Sequence, residues 1–109
     1  MTAPSDIAEA RTVLLTGATG YLGQLVTNRL RSAGWTVVPM SRNPGAGGVA
    51  FTLGQPVRAE TLMGYDALIH AAYDFSLVSR KDINAINVEG SANLFRAARE
   101  AGIGKIIAI

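Results

Sequence analysis

The chain has 109 residues, enough for one small domain, and its 49% hydrophobic and 17% charged content excludes a disordered polymer. Ten Lys and Arg against eight Asp and Glu leave a net charge of +2 with the basic residues scattered, so neither a nucleic-acid stripe nor a membrane patch is present. The lack of cysteine excludes disulfides and thiolate metal sites, no apolar run reaches membrane-spanning length, and residues 1–10 lack the regions of a signal peptide, so a cytoplasmic protein is the default expectation.

Residues 1–10 read as a tail, with a domain over 11–109. A short apolar strand is expected at 12–16. A helix is expected at 21–33, with Leu22, Leu25, Val26, Leu30 and Ala33 at helical spacing on one buried face and Gly34 to end it. A second strand follows at 36–40. Residues 43–48, with Pro44 and glycines at 45, 47 and 48, form an irregular loop. A third strand is expected over 49–53, a short helix near 59–63 and a fourth strand over 67–71. A long helix covers 81–101, with Ile83, Ile86, Gly90, Leu94, Ala97 and Ala101 near one face, and a fifth strand takes 105–109. Strands alternating with helices predict an α/β domain, a doubly wound parallel sheet of Rossmann type. Right-handed crossovers give it the order 3-2-1-4-5. Ile106, Ile107 and Ile109 belong to a strand meant for burial. The chain is therefore expected to be the N-terminal part of a longer protein, cut after strand 5, and poorly soluble by itself.

Between the first strand and the first helix, residues 16–23 read TGATGYLG, with glycines at 17, 20 and 23. At a strand-to-helix turn this spacing suits a dinucleotide pyrophosphate. The first glycine permits the turn, the second lets backbone N–H groups approach the phosphates, and the third lets the helix pack closely. The bland alternative is a tight turn that binds nothing. A P-loop would need Gly-Lys-Ser/Thr, and Gly23 is followed by Gln24 and Leu25. About 20 residues beyond the glycines, where a carboxylate would read the ribose 2′-hydroxyl, stand Ser41 and Arg42. A guanidinium there suits a 2′-phosphate, so NADP is the expected cofactor and NAD the alternative. His70 is the only histidine and reads as a packed sheet residue rather than a catalytic one, since no acid or nucleophile adjoins it in sequence. Asp66 reads as a turn or capping residue. Asp82, Glu89 and Glu100 read as the solvated face of the long helix, and no cluster has metal-ligand spacing.

Four segments in order carry a family likeness over residues 11–109. Residues 16–23 read TGATGYLG, residues 34–44 read GWTVVPMSRNP, residues 66–72 read DALIHAA, and residues 87–103 read NVEGSANLFRAAREAGI. Together they resemble the short-chain dehydrogenase/reductase superfamily in its extended or atypical branches, which include NAD(P)-dependent epimerases and dehydratases. The resemblance implies that Gly17, Thr19, Gly20, Tyr21, Leu22 and Gly23 cradle the pyrophosphate. It sets Ser41 and Arg42 beside the adenosine ribose and Ala71 and Ala72 along the cofactor with Tyr73 just beyond, and it brings Asn87 near the cofactor and the active centre, so that Asn87 counts among the cofactor-binding residues. Thr52-Leu53 stands where the family often has Asp-Leu, whose aspartate contacts adenine, and Ser91 replaces a common threonine.

Catalysis in this superfamily uses a Tyr-x-x-x-Lys pair and a Ser or Thr. Here Tyr21, Tyr65 and Tyr73 are followed four residues later by Leu25, Ile69 and Leu77, and the lysines are Lys81 and Lys105. No catalytic residue is therefore expected in this chain, and the chain alone is expected to turn nothing over. Three functions fit. The chain is the cofactor part of an oxidoreductase or epimerase/dehydratase acting on a nucleotide-sugar or other small carbonyl or hydroxyl substrate, or it belongs to a non-catalytic NADP-binding sensor or scaffold, or it is an interaction module that lost the cofactor. The expected partners are a dinucleotide, a small substrate held by a further C-terminal part, and a second copy of the chain in a homodimer.

Overall fold

Alternation with a period of two explains the centre of the sheet. Along β1 (Thr12–Thr16) the side chains of Val13 and Leu15 point to one face and Leu14 to the other, and all three are buried. A strand buried on both faces must be covered on both, which is the condition of a parallel sheet between helices. A computed structural model describes residues 11–72 and 79–109. The expected tail at residues 1–10 and the expected site residue Tyr73 lie outside the described residues.

After β1 come α1 (Tyr21–Ser32), β2 (Thr36–Ser41), β3 (Val49–Ala50), a 3-10 turn at Ala59–Leu62, and β4 (Ala67–His70). A short α2 (Arg80–Asp82) then continues through π-helical turns at Ile83–Glu89 into α3 (Gly90–Glu100), and β5 (Lys105–Ala108) follows. The five strands are parallel in the order β3-β2-β1-β4-β5, as the crossover rule predicts. The carboxylate of Asp66 accepts from the backbone N–H of Thr12 at 2.8 Å and from its hydroxyl at 3.2 Å. The residue before β4 thereby fixes the start of β1.

Two apolar clusters lie on opposite faces. Val13, Leu15, Val37, Ala67 and Ile69 meet Val26 and Leu30 of α1 on one side. Leu14, Met40, Leu62, Leu68, Leu94, Ala97, Ala98 and Ile103 pack under α3 on the other. Each fully buried leucine contributes about 2 kcal/mol.

Two expectations need correction. Leu22 and Leu25 are about half exposed, and Ala33 is exposed as well. The buried stripe of α1 instead runs through Gly23, Val26 and Leu30, because the close approach at Gly23 sets the rotation of the helix. The third strand spans two residues rather than five. Its ladder ends where β2 ends, at Ser41, whose carbonyl takes the last bond from the Phe51 N–H at 2.9 Å. Ile107 of β5 and Ile109 just after it are exposed, and Ile106 is half-buried.

Candidate functional site

The chain leaves β1 to form β2 on one side and later returns to form β4 on the other. At this reversal of strand order the C-terminal strand ends diverge, which is where open α/β sheets hold ligands. A cleft of about 870 Å³ opens there. It brings together Gly17, Thr19 and Gly20 from the β1–α1 turn, Tyr21, Leu22 and Gly23 from the first turn of α1, Ser41 at the end of β2 with Arg42 after it, and Ala71 and Ala72 just after β4. Asn87 is not on its wall. It is buried in the π-helical turns. Met40, Phe51, Thr52, Leu53 and Ile109 complete the lining. Thr52 and Leu53 were visible in the sequence as the displaced Asp-Leu position. Met40 and Phe51 gave no polar or glycine signal and are read from the fold alone.

The three glycines of the turn do different work. Gly17 has φ +71°, and a Cβ there would stand 2.9 Å from the carbonyl of Ala71 and 3.0 Å from the Ala72 nitrogen. The turn thus lies directly against the end of β4. Gly20 is the N-cap of α1, with extended backbone and no capping side chain; its N–H donates to Gly17 O at 3.1 Å. Gly23 is buried, and its Cα leaves no room for a side chain against Gly17 and Ala18. The N–H groups of the first turn, on Tyr21, Leu22 and Gly23, have no acceptor within the helix, and the positive end of its dipole opens on the cleft.

Among the described residues no carboxylate lines the cleft, and residues 11–59 contain arginines at 11, 29, 31, 42 and 58 but no Asp or Glu. Arg42 is exposed, with no ion-pair partner among the described residues. The electrostatics therefore favour an anion.

Behind the wall lies a buried polar chain. The Thr16 hydroxyl accepts from the N–H groups of Ala71 at 2.9 Å and Ala72 at 3.1 Å and sits 2.7 Å from Nδ1 of His70. Nε2 of His70 is 2.7 Å from the Ser91 hydroxyl, which donates to the Asn87 carbonyl at 2.5 Å. The ring meets Phe51 and Phe95 edge-on, with centroids 6.4 and 5.4 Å away. His70 is thus the satisfied sheet histidine the sequence predicts, but its partners come from β1 and α3.

Burial holds the His70 imidazole below its ordinary value of 6.5. The unfolded chain therefore takes up this proton at a higher pH than the folded one. The contribution to stability is complete above about pH 6.5, declines as pH falls from there to the folded-state pKa, and levels off below it. Urea midpoints are expected to fall over that window, and the step should vanish in a His70→Asn variant.

No helix among the described residues is long and apolar enough to cross a membrane, and no group of three or more His, Cys, Asp or Glu among them could hold a metal ion. An uncharacterized protein of Mycobacterium tuberculosis strain H37Rv is 33% identical over 102 residues, covering 87% of this chain and 11% of that protein. The chain thus spans about a ninth of the curated relatives it matches. A short-chain dehydrogenase/reductase superfamily protein from Agrobacterium tumefaciens, solved with bound NAD, superposes with a TM-score of 0.71 at 30% identity, over 90% of this chain and 32% of that one. Uronate dehydrogenase from the same organism gives a TM-score of 0.69 at 26% identity, over 91% of this chain and 40% of that one. The family model for NAD dependent epimerases and dehydratases matches residues 13–109, nearly the whole of the described sheet with its glycine turn, and the chain belongs to that family.

Proposed function

We propose that this chain is the cofactor-binding part of a longer NAD(P)-dependent oxidoreductase or epimerase/dehydratase acting on a sugar nucleotide or another small carbonyl or hydroxyl substrate, and that it prefers NADP. The observation that carries this reading is the open N-terminus of α1, whose N–H groups without an intrahelical acceptor face, across a glycine turn, a cleft that no carboxylate of the described residues lines. Gly17, Thr19, Gly20, Tyr21, Leu22 and Gly23 would hold the pyrophosphate. Ser41 and Arg42 would lie at the adenosine ribose, and Ala71 and Ala72 would line the cofactor beyond it. Phe51, Thr52 and Leu53 would offer adenine an apolar contact in place of a carboxylate. A bound nicotinamide would supply or accept hydride; the groups that move protons to and from substrate would come from the rest of the polypeptide. The NAD bound to the Agrobacterium tumefaciens relative and the sugar-acid substrate named for uronate dehydrogenase support the reading.

The preference for NADP rests on Arg42. The Arg42 guanidinium, just after β2 and without an ion-pair partner among the described residues, can pair bidentately with a 2′-phosphate, and Ser41 can add a hydrogen bond. A charge-assisted contact of about 1.5–3 kcal/mol favours NADP by about tenfold or more. Calorimetric titration of the full-length protein is expected to show that ratio, and Arg42→Ala should lose NADP affinity about tenfold while NAD affinity stays nearly constant. Equal affinities in the parent would show that Arg42 does not read the 2′-phosphate, and no binding of either dinucleotide would overturn the whole reading.

A further inference from the structure

We infer that His70 is a positioning residue, held in one neutral tautomer between Thr16 and Ser91, that keeps the Ala71–Ala72 wall of the cleft in the shape a dinucleotide needs. The inference rests on the proposed dinucleotide binding.

Counting donors and acceptors fixes the direction of every bond in the chain. The Thr16 hydroxyl has two lone pairs, and both are taken by the N–H groups of Ala71 and Ala72. Its proton must therefore go to Nδ1 of His70, which stands 2.7 Å away and so acts as acceptor. A neutral imidazole with a bare Nδ1 carries its proton on Nε2, which donates to Ser91 Oγ. Ser91 passes its own proton to the Asn87 carbonyl. Thr16 is fully buried, so water cannot replace a missing partner.

The consequence reaches the cleft through two residues. Ala71 and Ala72 line it, and their peptide packs against Gly17, the first residue of the glycine turn. Thr16 therefore ties the end of β4 to the start of that turn, and His70 holds the hydroxyl in the only orientation that serves both N–H groups. A second proton on His70 would set an N–H of Nδ1 against an oxygen already saturated, and one of the two backbone N–H groups would lose its acceptor. The groups packed on the ring are Thr16 from β1, Phe51 beyond β3, and Ser91 and Phe95 from α3. None of them titrates in this range, and no charged group among the described residues contacts the ring.

The test uses the full-length protein with ¹⁵N-labelled histidine, the His70 signals being assigned by their loss in His70→Asn. At about pH 8 the imidazole nitrogens are expected to show a bare Nδ1 and a protonated Nε2. A protonated Nδ1 overturns the inference. NAD affinity is then measured from about pH 8 down through the pH at which the same signals show His70 taking up its proton, NAD being chosen because a 2′-phosphate titrates itself near pH 6. The parent is expected to weaken about tenfold as His70 takes up its proton, the equivalent of one buried hydrogen bond. His70→Asn puts an amide oxygen near the place of Nδ1. It should bind NAD within about threefold of the parent at pH 8 and lose the pH step, whereas His70→Phe should bind about tenfold more weakly throughout. If His70→Phe does not fold, the parent and His70→Asn curves decide. NAD bound with a pH-flat affinity, or with identical profiles in parent and His70→Asn, overturns the inference alone. No NAD bound at any pH overturns the reading beneath it.

Discussion

Replacing Gly23 with alanine is expected to destabilise the protein severely. The added Cβ would lie well inside contact distance of the Gly17 carbonyl oxygen, 2.7 Å from its carbon and 2.8 Å from Ala18 Cα. All three are backbone atoms, so no side chain can swing away to make room. Relief requires α1 to move off the sheet. That uncovers Val13, Leu15 and Val37, against which Val26 and Leu30 pack. A cost of about 4 kcal/mol or more follows, a large share of the about 5–15 kcal/mol that holds a domain together. Circular dichroism and thermal melting of the full-length variant provide the check. A melting temperature within a few degrees of the parent would show that the helix can shift without loss of the core.

Three residues earlier on the same turn, the opposite outcome is expected. Gly20→Val should fold and should bind no dinucleotide. A Cβ at Gly20 meets only Gly17 O, at an ordinary 3.5 Å, and the backbone is extended, which suits valine. Loss of a glycine cap costs about 1 kcal/mol. The new side chain would stand at the N-terminus of α1, where the unpaired N–H groups face the cleft, and would keep an anion from approaching them. Affinity is expected to fall at least about a hundredfold, and calorimetry against a melting control separates lost binding from lost fold. A folded Gly20→Val protein with unchanged affinity would remove the turn from the phosphate site.

The contrast between these two glycines marks how far the sequence could be read. Their spacing and the strand before them were legible, as were the strand order and the ends of β1 and β2 to within a residue, because period-two burial and short connections are local signals. Which stripe of α1 is buried was not. Leu22 and Leu25 sit at helical spacing as plausibly as Val26 and Leu30, and only the contact of Gly23 with Gly17 chooses between the stripes. The π-helical turns at Ile83–Glu89 were equally hidden. They precede Gly90, where a Cβ would lie 2.8 Å from Gly54 N, so the helix is fitted to a loop far away in sequence. Arg42 and Ser41 were legible by their distance from the glycines. Phe51 and the partnership of His70 with Thr16 and Ser91 were not, since each depends on which strands become neighbours.

The place of β1 between β2 and β4 also dictates when the domain can close as it is made. β2 is available within about one helix length of β1, but the other edge of β1 waits for a strand whose His70 is 54 residues beyond Thr16. At about 5–20 residues per second that interval lasts several seconds on the ribosome. Throughout it Val13, Leu14 and Leu15 present an unpaired, doubly apolar edge, the kind that templates pairing with other chains. Chaperone capture during synthesis should therefore concentrate on lengths that end before β4 and decline once His70 has emerged.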